Sequence, residues 1–376
     1  MFHFILGLPW LVVLLRFLIP LPWIIPAKVA VAAVLLVASQ HLTINRISSG
    51  SVFAPEYPRP LVILFNLLFG ATVLLAIFQL ALDAVSLLFM LVDGQFPSVP
   101  PEVRYVIGAI ALALSGWGVM QAIRVPPLKN VEIAIAGLPP EFEGYRLLQL
   151  TDLHISRLFP AAWAEKVVSK ANALDVDLIA ITGDFIDGSL ENRRADIAPL
   201  AKLRARDGVY AIPGNHEYFF GYEDWMQHDA SLGIQMLTNR HAVIQRDDAR
   251  LVVAGLTDLA AVRSRFPKPD LAAALRSAPE GAPIILLDHQ PRMVARASKA
   301  GVALQLSGHT HGGMVWGLDR LVARGNNGFV SGLYDVAGMQ LYVNNGTGLW
   351  PGFALRLGRP SELTVITLRR AASGTL

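Results

Sequence analysis

Residues 302–313 read Val302-Ala-Leu-Gln-Leu-Ser-Gly-His-Thr-His-Gly-Gly313. An apolar run of strand length stops at Ser-Gly, and two histidines follow one residue apart. Four other stretches repeat this plan. Arg146-Leu-Leu-Gln-Leu150 runs into Thr151-Asp152-Leu153-His154, and Asp177-Leu-Ile-Ala-Ile181 runs into Thr182-Gly183-Asp184. Val209-Tyr-Ala-Ile212 runs into Pro213-Gly214-Asn215-His216-Glu217, and Ile284-Ile-Leu-Leu287 runs into Asp288-His289-Gln290-Pro291. Short apolar runs of this kind read as buried strands. Open α/β sheets gather their ligands outside the carboxyl ends of the strands. The five loops are therefore expected to converge on one site.

Around these stretches, apolar runs alternate with helical patterns. Strands are expected at 131–135, 146–150, 177–182, 208–212, 251–256, 283–287, 302–306, 340–344 and 362–368. Helices are expected at 161–173, 192–205, 222–232, 270–277 and 291–299. The alternation argues an α/β fold with strands buried between helical layers. The Gly-rich residues 312–332 read as an irregular connection.

The N-terminal third is different. Of the 376 residues 53% are hydrophobic and only 16% charged, and the skew is concentrated in residues 1–126, with six Lys/Arg and four Asp/Glu. Apolar runs at 2–20, 27–44, 61–82 (reaching toward 92) and 105–123 match the length a bilayer requires. They predict about four transmembrane helices, a region 1–126 closed by Pro126-Pro127, and a soluble domain over 127–376 that folds without the spans. The first run has neither a basic start nor a small-residue cleavage site, so it does not read as a signal peptide. Arg16, Asn66, Gln79 and Asp83 fall inside the runs; Arg16 is expected to snorkel and Asp83 to sit near an interface. Arg46, Arg59, Arg124 and Lys129 share one side under a four-span arrangement, which puts the soluble domain in the cytoplasm by the positive-inside rule. That domain is nearly neutral, which leaves no electrostatic footprint for nucleic acid. The absence of cysteine excludes disulfides, thiolate metal sites and cysteine nucleophiles.

The strand-end residues suit divalent cations. Carboxylate, imidazole and amide oxygen form a mixed hard and borderline donor set, fit for Mn, Fe, Zn or Mg rather than copper. Glycines before Asp184, Asn215 and His309 are expected to let the backbone turn beside the metals. Each piece is common by itself. The ordered set of five carries the reading.

Asp152-x-His154, Gly183-Asp184, Gly214-Asn215-His216-Glu217, His289 and Gly308-His309-x-His311 together resemble the signature of the calcineurin-like metallophosphoesterase superfamily. With the apolar runs, and with Tyr342-Val-Asn-Asn-Gly-Thr-Gly348 and Arg356-Leu-Gly-Arg-Pro-Ser-Glu-Leu363, the chain is most similar to the transmembrane proteins with a metallophosphoesterase domain. The resemblance spans about 145–370 and implies a four-layer α/β/β/α sandwich with two divalent metal ions. It implies that Asp152, His154, Asp184 and His311 hold one metal, and that Asp184 bridges to a second completed by Asn215, His289 and His309. His216 is implied as the proton donor to the leaving oxygen, oriented by Asp187. The arginine that follows that aspartate in related protein phosphatases is Gly188 here, which weakens a protein-phosphatase reading.

The expected activity is hydrolysis of a phosphate ester or pyrophosphate bond by a metal-bridged hydroxide. The apolar runs favour a lipid-linked phosphorylated substrate, such as UDP-diacylglucosamine, at a bacterial inner membrane. Trp316, Phe329, Tyr334, Trp350 and Phe353 are candidates to line an acyl groove, or else ordinary packing residues. A non-catalytic metal-binding membrane scaffold and a transporter accessory domain are the alternatives.

Overall fold

The computed structural model describes residues 2–371, with side chains from residue 6 on. They form two compact units. The first comprises Met1–Ala122 and Pro351–Leu357, the second Ile123–Trp350 and Gly358–Leu376.

The first unit is helical. Helix Arg59–Asp93 has 35 residues and helix Pro101–Ile123 has 23, both long and apolar enough to cross a membrane. Helices Ile25–Ser39 and His41–Ser49 bend by 52° at Gln40, so they count as a third span only if the pair is one broken span. Among the described residues two helices, or three counting the bent pair, are long and apolar enough to cross a membrane, against the expected four. The first apolar run forms helix Phe2–Val12 and a π-helix, Val13–Leu18. Together these run 17 residues, about 25 Å, against a hydrocarbon core of about 30 Å. Ile25, Leu91 and Val92 turn apolar side chains outward, as lipid contact requires.

Inside this unit Arg16 is paired with Asp83 through two hydrogen bonds of 2.9 and 3.1 Å. Gln79 donates to Asp83 at 2.8 Å and accepts from Arg104 at 3.0 Å. These polar groups satisfy one another. Asn66 Nδ2 donates to Pro351 O at 2.9 Å, and its side-chain oxygen accepts from Ala354 N at 2.6 Å. Leu355 lies where a Cβ on Gly118 would approach to 2.6 Å and one on Gly70 to 3.3 Å. Small residues on the two long helices thus make room for the segment Pro351–Leu357, which comes from late in the sequence.

The second unit contains β1 (Leu128–Ile135), β2 (Arg146–Leu150), β3 (Leu178–Thr182), β4 (Val209–Ile212), β5 (Gln235–Met236), β6 (Arg240–Arg246), β7 (Ala249–Gly255), β8 (Ile284–Leu287), β9 (Leu304–Ser307), β10 (Gly332–Val336), β11 (Met339–Val343) and β12 (Leu363–Arg370). They form two six-stranded sheets, ordered β1-β12-β2-β3-β4-β5 and β10-β11-β9-β8-β7-β6. β2 to β5 are parallel, as are β7, β8, β9 and β11. Leu147, Leu178, Ala180 and Ile212 of the first sheet pack with Val253, Ile285, Leu287 and Leu306 of the second. Leu148, Ile179 and Ile181 point to the opposite face and are also buried, as is the apolar side of helix Ala161–Asn172. The outer face of the second sheet is covered in part by Ala274, Val294 and Ala297 of two short helices. The layers therefore run helix, sheet, sheet, helix.

The expected strands are all present, and β5, β6 and β10 add to them. The stretch 312–332 is less irregular than expected, because it contains helix Asp319–Gly325. β2, β3 and β4 belong to one sheet and β8 and β9 to the other. The five loops accordingly meet where the carboxyl ends of two packed sheets lie side by side.

Candidate metal centre

The chain leaves β2, β3 and β9 through an unusual backbone. Asp152 (φ 51°), His154 (φ 45°), Asp184 (φ 54°), His309 (φ 68°) and His311 (φ 50°) all occupy the left-handed region. Such a conformation costs a residue with a Cβ about 1–3 kcal/mol and survives where surrounding structure enforces it. The adjoining glycines act for different reasons. Gly183 has φ 93°, and a Cβ there would meet Gly214 N at 2.5 Å. Gly308 needs no positive φ; a Cβ there would stand 2.1 Å from Thr151 Oγ1. At that position the requirement is space rather than a turn.

All nine residues expected at the site come together. Asp152, His154 and His311 form one cluster, and Asp184, His289 and His309 another, with the ligand atoms of each within 4.8 Å of one another. His154 Nε2 lies 3.2 Å from His311 Nε2, and Asp152 Oδ1 lies 3.5 Å from His311 Nε2. Asn215 Oδ1 and Asp184 Oδ2 lie 3.2 and 3.3 Å from His289 Nε2. Asp184 Oδ2 is also 3.7 Å from His154 Nε2, which places it between the clusters. Two donor atoms each about 2.1 Å from one cation lie about 3–3.4 Å apart, so these spacings fit divalent ions. The far ring nitrogens agree. His289 Nδ1 donates to Thr182 O at 2.7 Å and His154 Nδ1 to Asp187 Oδ2 at 3.1 Å, leaving each Nε2 turned inward.

Asp187 also accepts from His216 Nδ1 through its other oxygen. His216 N donates to Asp184 Oδ1 at 2.9 Å, and its Nε2 lies 3.9 Å from Asp184 Oδ2. Burial opposes the charged imidazole of His216, but Asp184 and Asp187 outweigh it and raise its pKa to about 9. Burial likewise works against charge on Asp184 and Asp187. The neighbouring imidazoles nevertheless hold both carboxyls below their ordinary range, His289 and His216 acting on Asp184, His154 and His216 on Asp187. Burial and then the charge of His289 push His309 down to about 3.

Glu217 has a part that its place beside His216 did not disclose. It is fully buried, and its carboxylate accepts from Gly214 N at 2.6 Å, Asp184 N at 3.1 Å and Phe185 N at 2.8 Å. One side chain thereby ties the loop after β3 to the loop after β4. Burial, followed by repulsion from Asp184, raises its pKa to about 7. The late loop Asn344–Gly348 backs the other cluster. Thr347 N and Gly348 N donate to Thr151 O and Asp152 O at 2.8 and 2.9 Å. A Cβ on Gly346 would meet His311 Nδ1 at 3.0 Å.

A cleft of about 980 Å³ opens on Asn215 and His309 and carries Tyr218 and Phe219 on its wall. The aromatic residues proposed for an acyl groove do not line it. Trp316 is 79% exposed, Phe329 and Tyr334 pack edge to face at 5.1 Å, and Phe353 packs on Phe69 in the helical unit. Trp350 is likewise absent from the lining.

Comparison with known proteins agrees with this site. The family described as calcineurin-like phosphoesterase matches residues 145–313. A transmembrane protein with metallophosphoesterase domain from Danio rerio is 34% identical over 271 residues, 70% of this chain and 62% of that protein. Its Bos taurus counterpart is 33% identical, and the match covers 61% of its length, so the chain spans about three fifths of these vertebrate relatives. An uncharacterized metallophosphoesterase of Helicobacter pylori is 31% identical over 262 residues, 68% of either chain. On the matched motifs and the extent of these relatives, the chain belongs to the calcineurin-like phosphoesterase family.

Proposed function

We propose that this protein is a membrane-anchored phosphohydrolase that uses two divalent cations to cleave a phosphate ester or pyrophosphate bond of a lipid-linked substrate, UDP-diacylglucosamine being one candidate. The observation that carries the reading is Asp184, whose Oδ2 lies 3.7 Å from His154 Nε2 and 3.3 Å from His289 Nε2. Asp152, His154, Asp184 and His311 would hold one cation, and Asp184, Asn215, His289 and His309 the other. Bound there, the cations supply a water ionised near neutral pH and neutralise the phosphoryl oxygens.

The rest is done by the chain. A nucleophilic water adds to phosphorus, the bond from phosphorus to the leaving oxygen breaks, and that oxygen takes a proton from His216 Nε2. Asp187 holds its Nδ1, and the Asp184 and Asp187 carboxylates favour the charged imidazole. The proton lost by water restores the imidazolium.

The test is hydrolysis of bis(p-nitrophenyl) phosphate by the full chain in detergent with Mn²⁺. Metal-dependent turnover, abolished by a chelator and restored by Mn²⁺, is expected. A chain that binds metal without turning over any ester would instead be a scaffold. The Lys/Arg distribution leads us to put the site on the cytoplasmic side of a bacterial inner membrane. A C-terminal alkaline phosphatase fusion active in the periplasm would contradict that placement.

A further inference from the structure

The cleft that opens on Asn215 and His309 is lined by Arg263, Arg292 and Arg296 and by no acidic residue. Several arginines elsewhere on this unit are paired with carboxylates. Arg246 pairs with Asp177 and Asp207, Arg265 with Glu223, Arg359 with Asp319 and Arg369 with Glu132. Among the described residues no carboxylate pairs with the three cleft guanidinia, and all three are exposed. Uncompensated positive charge is therefore gathered in one concavity.

Two elements hold it in place. Arg263 ends the 3-10 helix Leu259–Arg263, whose start is fixed by Asp258 accepting from Ala260 N at 2.7 Å. Asp258 is in turn held by Gln290 Nε2 at 3.0 Å, and Gln290 is the residue after His289. Arg292 follows two residues later, and Arg296 lies on helix Val294–Lys299. Phe219 and Val262, both about half exposed, add apolar surface to the same cleft.

A scissile phosphate at the metal edge already has its counter-charge in the bound cations. Guanidinium groups pair with phosphate through parallel hydrogen bonds and are the preferred partner where a second phosphate must be recognised. We infer that the cleft wall formed by Arg263, Arg292 and Arg296 binds a second phosphate next to the scissile one, so that the preferred substrate is a diphosphate diester whose remaining group lies against Phe219 and Val262. This deepens the proposed function and rests on it for the position of the scissile phosphate. The same diphosphate occurs in nucleotide-linked and in lipid-linked compounds.

The test uses full-length Mn²⁺-loaded protein in detergent, as Arg292→Gln, Arg296→Gln, the double variant, and Arg265→Gln as a control guanidinium outside the cleft. Rates are compared on UDP-glucose, farnesyl-diphospho-N-acetylglucosamine and bis(p-nitrophenyl) phosphate, and binding of methylenediphosphonate and methylphosphonate is followed by calorimetry. In the double variant, kcat/KM on the better diphosphate should fall about 10- to 100-fold relative to the single-phosphate ester, mainly through KM, with a matching loss of methylenediphosphonate affinity. The control should keep the parent ratio. Which diphosphate is turned over identifies the source. An equal fall on all esters, or unchanged methylenediphosphonate binding, overturns the subsite while leaving hydrolysis intact. If no ester is hydrolysed but methylenediphosphonate binding still depends on Arg292 and Arg296, the subsite stands and the phosphohydrolase reading falls.

Discussion

Asp187 holds His216 by its Nδ1, and its second oxygen holds His154 Nδ1 at 3.1 Å. One buried carboxylate thus orients both the proposed proton donor and a proposed metal ligand. Sequence reasoning assigned Asp187 to His216 alone. Asp187→Asn is therefore expected to lower metal affinity as well as turnover, each by about 10- to 100-fold. Metal titration of the variant beside its kcat at saturating Mn²⁺ separates the two. A variant with parent metal affinity would mean that the bond to His154 is incidental.

His216→Ala should behave differently. Its Nε2 is turned to the site, but His216 was assigned no metal in the proposed ligand sets. Metal content should stay near two per chain while kcat falls about 10²–10⁴-fold. The loss should be smallest for aryl esters with acidic leaving groups and largest for alkyl esters, which need the proton. An equal loss across a leaving-group series would remove His216 from the proton-donor role.

Glu217→Ala removes three acceptor contacts from buried backbone N–H groups. Each orphaned donor costs about 1–3 kcal/mol. Lower thermal stability and weaker metal binding are expected, with the leaving-group dependence unchanged. A variant as stable as the parent, by calorimetry of the Mn²⁺ form, would show that the loops after β3 and β4 do not need this brace.

Phe353 packs edge to face on Phe69, and Leu355 is buried between Gly70 and Gly118. Residues 127–376 expressed alone would lose these partners. Contrary to the sequence expectation, that fragment should aggregate in size-exclusion chromatography. Phe353→Ser with Leu355→Ser should restore a monomer. A monomeric unmodified fragment would contradict this.

The legible parts of the fold were those with local signals. β2, β3, β8 and β9 are buried apolar runs that end at polar ligands, and such runs announce themselves. β6 does not, because Arg-His-Ala-Val-Ile-Gln-Arg lies at a sheet edge with most side chains at least partly exposed. β10 is hidden by the glycines around it. The proposed ligands were legible as strand-end residues, whereas the left-handed backbone at Asp152 and His309 and the Glu217 brace depend on neighbours distant in sequence. The bend at Gln40 was not legible, because apolar length says nothing about a break inside a run.

The central claim is that Asp184 joins two cations, and the most direct measurement is metal stoichiometry in Asp184→Asn by mass spectrometry of the purified full chain. The parent should hold two divalent ions per chain. The variant should lose most of both together with its activity, because one charge offsets the repulsion between them. A variant that keeps two ions per chain would contradict the bridging role of Asp184.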